Sequence, residues 1–244
     1  MGSLPVLVVH LTVLSEPVFL LLSLLGFHLL ADYLDTSKER ALFGATLAMG
    51  LALLTRYAGA ACILTGGVAI LLWSQTSFRR RVRDVCAFGF GSSLPMFVWM
   101  LRNFAAGGAA TDREFLFHPI GRSHLWQALY TASGWSLIPA FAPDAVRVAL
   151  GVAMFGGMVT ALARPGIPSI VRVPALFVAV YSAFLATSIS FFDANTPLDD
   201  RILLPVFAAG LIIPLHFLDR AWPILRRVPA VASLTVALLV AFLA

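Results

Sequence analysis

Apolar runs close to the length needed to cross a bilayer recur along this chain from one end to the other. They fall at about 4–14, 17–34, 37–55, 58–75, 85–101, 145–163, 173–191, 203–218 and 228–244. A hydrocarbon core of about 30 Å takes roughly 20 helical residues. Only 12% of the residues are charged and 60% are hydrophobic, with a mean hydropathy of +0.92. A soluble domain carries about 25% charged residues, so water cannot accommodate this composition. The expected fold is all-α: a polytopic integral membrane protein of about eight to nine transmembrane helices. Met1 to Val9 holds no basic residue, so no cleavable signal peptide is expected and the first true span would serve as the membrane anchor. No hydrophilic stretch is long enough for a separate soluble domain, and residues 1–244 read as one transmembrane domain.

Orientation follows from the basic residues, which concentrate on the cytoplasmic side. The run FRRRVR places Arg79, Arg80, Arg81 and Arg83 inside, and alternation then adds Lys38, Arg40, Arg164, Arg172, Arg220, Arg226 and Arg227. Arg56, Arg102, Arg113, Arg122, Arg147 and Arg201 remain outside, so eleven of the 17 basic residues are internal. Acidic residues show no such bias: Glu16, Asp112, Glu114, Asp144, Asp193, Asp199 and Asp200 all fall outside. Trp73 and Trp222 land at the inner interface, and Trp99, Trp126 and Trp135 at or beyond the outer one, as aromatic belts require. The net charge of +5 reports membrane orientation and gives no reason to expect a nucleic-acid partner.

LTVLSEPVFLLL, residues 11–22, places a carboxylate inside a long apolar run. One helix from 4 to 34 would be about 46 Å long and would bury Glu16 near mid-membrane, at roughly 3 kcal/mol. Ser15-Glu16-Pro17 instead reads as a helix start, with Ser as the cap and Pro in the first turn. Glu16 then lies at an outer turn between two segments. Thr36 with Glu39 makes a capping-box pattern that begins the next helix but one.

The same outer side collects further polar groups. TRYAG brings Arg56 and Tyr57 to a turn, and MLRNF brings Arg102 and Asn103 to the end of the fifth span. Residues 104–143 form the longest outer loop, containing TDREF with Arg113. Within that loop RSHLWQALYTASGW places Leu125 with Leu129, and Trp126 with Tyr130, at helical spacing, so a short interfacial helix is expected there. FFDANTPLDDRILLP delivers Asp199, Asp200 and Arg201. Each residue also has an ordinary role open to it: arginines snorkel to headgroups, and the aspartates cap a helix N-terminus. His118 and His124 match no metal-ligand spacing. No metal site and no cofactor are expected, with a divalent metal left open. Cys62 and Cys86 fall near opposite membrane faces, too far apart for a disulfide. A mixed-charge pocket beside lipid suits an anionic, lipid-linked ligand.

LSEPVF, LTRYAG, LRNF, the stretch from Trp135 to Pro139 and DDRILLP, in this order over residues 10–215, resemble the later part of polytopic GT-C superfamily glycosyltransferases. The similarity is to the branch containing protein O-mannosyltransferases and lipid A aminoarabinose transferases. The resemblance implies an active site on the non-cytoplasmic face and transfer of a sugar, with inversion, from a polyprenyl-phosphate donor to an acceptor at the membrane surface. It also implies a place in a bacterial inner (plasma) membrane and a role in the cell envelope. The family carries its catalytic acid in a first outer loop, and no such loop precedes Glu16, so the chain is expected to be a fragment lacking the N-terminal catalytic part. At the arginine of the long loop, relatives tend to carry Gly where this chain reads Thr111-Asp112-Arg113. Glu16 is the candidate for the carboxylate base, with an ion-pair or positioning role as the competing assignment. The candidate substrate-binding set is Arg56, Tyr57, Arg102, Asn103, Arg113, Asp199, Asp200 and Arg201. The alternative class is non-enzymatic: a transporter or flippase-like protein, or a helper in envelope assembly. A transporter would show inverted repeats, broken helices and midplane charges.

The orientation is directly testable. In a background lacking Cys62 and Cys86, single cysteines at Ser15 and Asn195 should react with an impermeant thiol reagent applied outside, and one at Ser77 should not. Labelling at Ser77 alone in intact cells would reverse the assignment.

Overall fold

A computed structural model describes residues 15–106, 116–135, 143–193 and 195–225. These residues form helices and connecting turns, with no strand among them. In order they are α1 (Glu16–Thr36), α2 (Glu39–Thr55), α3 (Gly59–Trp73), α4 (Phe78–Ala105), α5 (Arg122–Gly134), α6 (Asp144–Ala163), α7 (Ser169–Phe191), α8 (Asp200–Gly210) and α9 (Ile212–Leu225). Among the described residues, five segments are long and apolar enough to cross a membrane: α1, α4, α6, α7 and the stretch Asp200–Pro223. The arrangement is that of a multi-pass, all-helical membrane protein. Residues 4–14 and 228–244 lie outside the described residues.

Helix ends follow local chemistry, with some departures from expectation. α1 begins at Glu16 with Pro17 in its first turn, where a missing N–H removes no hydrogen bond. Ser15 contributes its carbonyl, which accepts from Phe19 N–H at 3.0 Å, but its hydroxyl caps nothing. The Thr36–Glu39 capping box does not form. Thr36 Oγ1 turns back to donate to the Asp32 carbonyl at 2.7 Å, Ser37 closes α1 in a left-handed conformation, and Lys38 precedes α2. Glu39 is drawn instead to Arg80 and Arg83, at 3.4 and 3.5 Å. The basic run is helical, so α4 starts at Phe78, seven residues before the apolar stretch. Arg81 makes this possible by donating to the Leu71 and Thr76 carbonyls at 3.0 Å each. The expected 203–218 span is divided at Leu211, because Pro214 has no N–H to offer the Gly210 carbonyl.

Packing places α1, α2, α3, α7 and α8 around the main core, with α4 against α2 and α3, and α6 against α7. Phe19, Phe27, Leu30, Met49, Ile70, Phe177 and Leu204 fill that core. The Phe27 and Phe177 rings lie 4.7 Å apart between centroids. Small residues allow close helix approach, as is usual where lipid gives no hydrophobic drive to associate. A Cβ on Gly66 would stand 2.4 Å from the Phe88 ring, and one on Gly50 would stand 2.9 Å from the Ser92 carbonyl oxygen. The opposite sides of α4 and α6 expose Phe90, Phe97, Val98, Val152, Phe155 and Val159. Such surfaces suit contact with lipid and would be untenable in water.

A polar staple closes the end that carries the basic run. Tyr33 donates its phenolic O–H to Asp84 Oδ2 at 2.6 Å, and Arg83 holds Asp84 Oδ1 through Nε and Nη2 at 2.9 and 2.8 Å. Both Tyr33 and Asp84 are buried. Tyr33→Phe should lower stability by about 1–2 kcal/mol, the cost of leaving a buried acceptor short of a donor. Asp84→Ala should cost more, about 3 kcal/mol. Thermal unfolding in detergent checks both values and their order.

Candidate functional site

The end opposite the basic run gathers three charged side chains from helices distant in sequence. Glu16 is the first residue of α1, where its negative charge suits the positive end of the helix dipole. Arg56 follows the last residue of α2 in an extended conformation, with its N–H on the Ala52 carbonyl at 3.1 Å. Its cation faces the negative end of that helix dipole. Arg201 lies in the first turn of α8.

These three meet on one oxygen. Arg56 Nη1 stands 2.5 Å from Glu16 Oε1 as a close ion pair, and Arg201 Nε donates to the same Oε1. Oε2 of Glu16 is buried and has no hydrogen-bond partner. Exposure rises outward through the group: Glu16 is 2% exposed, the Arg56 side chain 17% and the Arg201 side chain 53%. A buried carboxylate carries a desolvation penalty of several kcal/mol unless paired, and two cations offset it here. The trio keeps one net positive charge. Arg201 uses Nε on Glu16 and makes no other bond among the described residues, so its two Nη groups carry no protein partner there.

The two aspartates beside Arg201 serve the protein itself. Asp199 caps α8, its side chain accepting from Ile202 N–H at 3.0 Å. Asp200 accepts from Trp135 Nε1 at 2.9 Å, while Thr131 Oγ1 donates to the Leu198 carbonyl at 2.8 Å. These two bonds tie the end of α5 to the start of α8. Trp135, expected in the outer aromatic belt, is instead 3% exposed and stacked 5.0 Å from Phe207. Its ring is buried while its indole N–H still finds a partner in the exposed Asp200 carboxylate, as a buried tryptophan N–H usually does.

The remaining candidates are dispersed around this end. Tyr57 is in the α2–α3 turn, about half exposed. Arg102 and Asn103 are at the C-terminal end of α4, which packs on α2 and α3. Neither forms an ion pair or hydrogen bond with the trio. Arg113 lies outside the described residues, as does Pro139. His118 donates its backbone N–H to the Ser190 carbonyl at 2.6 Å, and His124 Nδ1 accepts from Gly121 N–H at 3.2 Å. Cys62 is buried with its Sγ 3.4 Å from Ser23 Oγ, and Cys86 is exposed; both are free thiols.

One buried group escaped sequence reading. Arg147, in the first turn of α6, is 1% exposed. Its Nη1 donates to Ser133 Oγ at 2.5 Å, and its guanidinium lies 4.0 Å over the Tyr130 ring. Nothing in a single arginine near a helix start separates this from snorkelling; only the partner helix α5 supplies the ring and the hydroxyl.

No family model matches this sequence, and neither a curated protein nor a solved structure does. The site is therefore read from its own geometry. Both arginines sit on Oε1 of Glu16 while Oε2 is buried without a hydrogen-bond partner. The graded exposure sets a stability order. Arg56→Gln should cost about 3 kcal/mol, because it strips a largely buried partner from a buried charge. Arg201→Gln, whose charge is screened by solvent, should cost about 1 kcal/mol. Equal losses in thermal unfolding would contradict the layered arrangement.

Proposed function

We propose that this protein binds the phosphate of a polyprenyl-phosphate-linked sugar at the non-cytoplasmic face, as a glycosyltransferase-like membrane protein of the GT-C kind. The observation that carries this reading is the Arg201 guanidinium, fixed at Nε by a buried carboxylate and half-exposed on its other edge. Arg56 stands within the same trio as a second cation. A planar fork with its outer edge free suits two parallel charge-assisted bonds to a phosphate. The adjoining apolar faces of α4 and α6 suit a ligand whose carrier is a lipid.

In this reading Glu16 is a positioning residue. Its carboxylate orients Arg201 and keeps the two guanidinium groups from repelling each other. The sugar would be presented toward Tyr57 and the α7–α8 loop, with the acceptor arriving from the membrane surface. α2 and α3, about 25 and 22 Å long, are read as crossing the bilayer as well. With the five candidate spans they give seven; the remainder of the eight to nine spans read for a bacterial inner-membrane protein falls on residues outside the described ones.

Arg201→Lys preserves positive charge and the link to Glu16 but removes the fork. It should weaken binding of polyprenyl phosphate by roughly tenfold, since an ammonium acts as a single point charge, while leaving expression and thermal stability close to wild type. Binding measured on detergent-solubilised protein at matched concentration decides the matter. Equal affinity of the two proteins would leave Arg201 as an interface anchor and remove the support for a phosphate site.

A further inference from the structure

Away from the trio, α5 and α6 frame a shallow groove of about 150 Å³ lined by Arg122, Leu125, Trp126, Leu129 and Val148. Its walls are apolar and open. Leu125 is 65% exposed, Val148 44%. Gly151 lets the two helices close beneath the groove, since a Cβ there would stand 2.9 Å from Leu129 Cδ1. Arg122, the first residue of α5, is the charged member of the lining. It makes no ion pair or hydrogen bond with any described residue. The other arginine of this helix pair, Arg147, is buried against Tyr130 and Ser133 and is not offered to the groove.

We infer that this groove holds one anionic phospholipid of the adjoining leaflet, with its phosphate on Arg122 and an acyl chain along Leu125, Leu129 and Val148. Three observations select that occupant. The groove is bounded by α6, a candidate membrane span, whose exposed Val152 and Phe155 continue the apolar surface. Trp126 in its wall has the amphipathic ring that settles at headgroup depth. The one charge in the lining is an unpaired cation, which complements a phosphate and not a second apolar helix. A lipid seated there would brace α5, whose far end is bonded to Asp200 through Trp135, next to Arg201. The inference does not depend on the phosphate of a sugar donor being held by Arg201.

Brominated lipids quench tryptophan on contact, and the Trp126 contribution is isolated by comparison with Trp126→Phe. Protein in phosphatidylcholine nanodiscs would receive a fixed minor fraction of brominated phosphatidylglycerol or, separately, of brominated phosphatidylcholine. Phosphatidylglycerol should occupy the site about fivefold more favourably, the effect of one cation on an anionic headgroup. Arg122→Gln should abolish that preference, and Val148→Phe, which fills the groove while keeping the cation, should reduce it. Arg79→Gln, at the opposite end of the molecule, should retain it in full. Equal quenching by both lipids in the wild type would overturn the inference, as would a preference surviving Arg122→Gln or lost in Arg79→Gln.

Discussion

A single carboxylate oxygen organises one end of this molecule. Glu16 Oε1 receives Arg56 from the end of α2 and Arg201 from the start of α8, joining helices separated by up to 185 residues of chain. The strength of that joint comes from its surroundings. Beside lipid, little water competes for the charges, and a buried carboxylate without its cations would be far more costly than the same group at a soluble protein's surface. The joint therefore ties α1, α2 and α8 together with a polar contact that is hard to break. It also leaves Arg201, the most exposed of the three, open to its surroundings.

The opposite end is built on the same logic with different chemistry. Asp84 is held by a phenol and by a bidentate guanidinium. The neighbouring arginines are largely occupied with helix ends: Arg81 on the carbonyls of Leu71 and Thr76, Arg172 on that of Arg164. These arginines thus supply donors to carbonyls that helix termini leave without partners. Between the two polar ends the helices meet through aromatic rings and small residues, with Gly66 under Phe88 and Gly50 against Ser92.

The polar ends also explain why function is sought at one of them. At the end with the basic run, Asp84 and Glu39 meet the arginines that surround them. At the other, the charges are unevenly matched: two arginines share one carboxylate, and Asp199 and Asp200 are turned to capping and to Trp135. The surplus positive charge is concentrated on the exposed edge of Arg201. α5 lies across this end, bonded to α8 on one side and packed on α6 on the other, so that the charged trio's end and the α5–α6 groove share one helix.

Much of this was legible in the residues themselves. Apolar runs of bilayer length predict the helices, and Pro17 and the Arg56–Ala58 turn mark where α1 and α3 begin, because those signals act within one helical turn of where they are written. Glu16, Arg56 and Arg201 were recognisable as charges at helix ends, where the structure has them. What no local signal carried was their convergence on one atom, since contact between residues 16, 56 and 201 depends on how α1, α2 and α8 pack. The same holds for the failures. Thr36 and Glu39 have the spacing of a capping box, but Thr36 still belongs to α1, where its hydroxyl donates to the Asp32 carbonyl, and Lys38 takes the N-cap of α2. Trp135 has the amphipathic ring of a belt residue, but it is buried against Phe207 while Asp200 accepts its N–H. Arg147 reads as a surface arginine until α5 brings Tyr130 and Ser133 over it. The sequence by itself determined which apolar segments become helices, because hydropathy and helix-end signals act segment by segment. Only the tertiary structure decided which charges neutralise one another and which stay unpaired, because that depends on distances between helices that no spacing along the chain records.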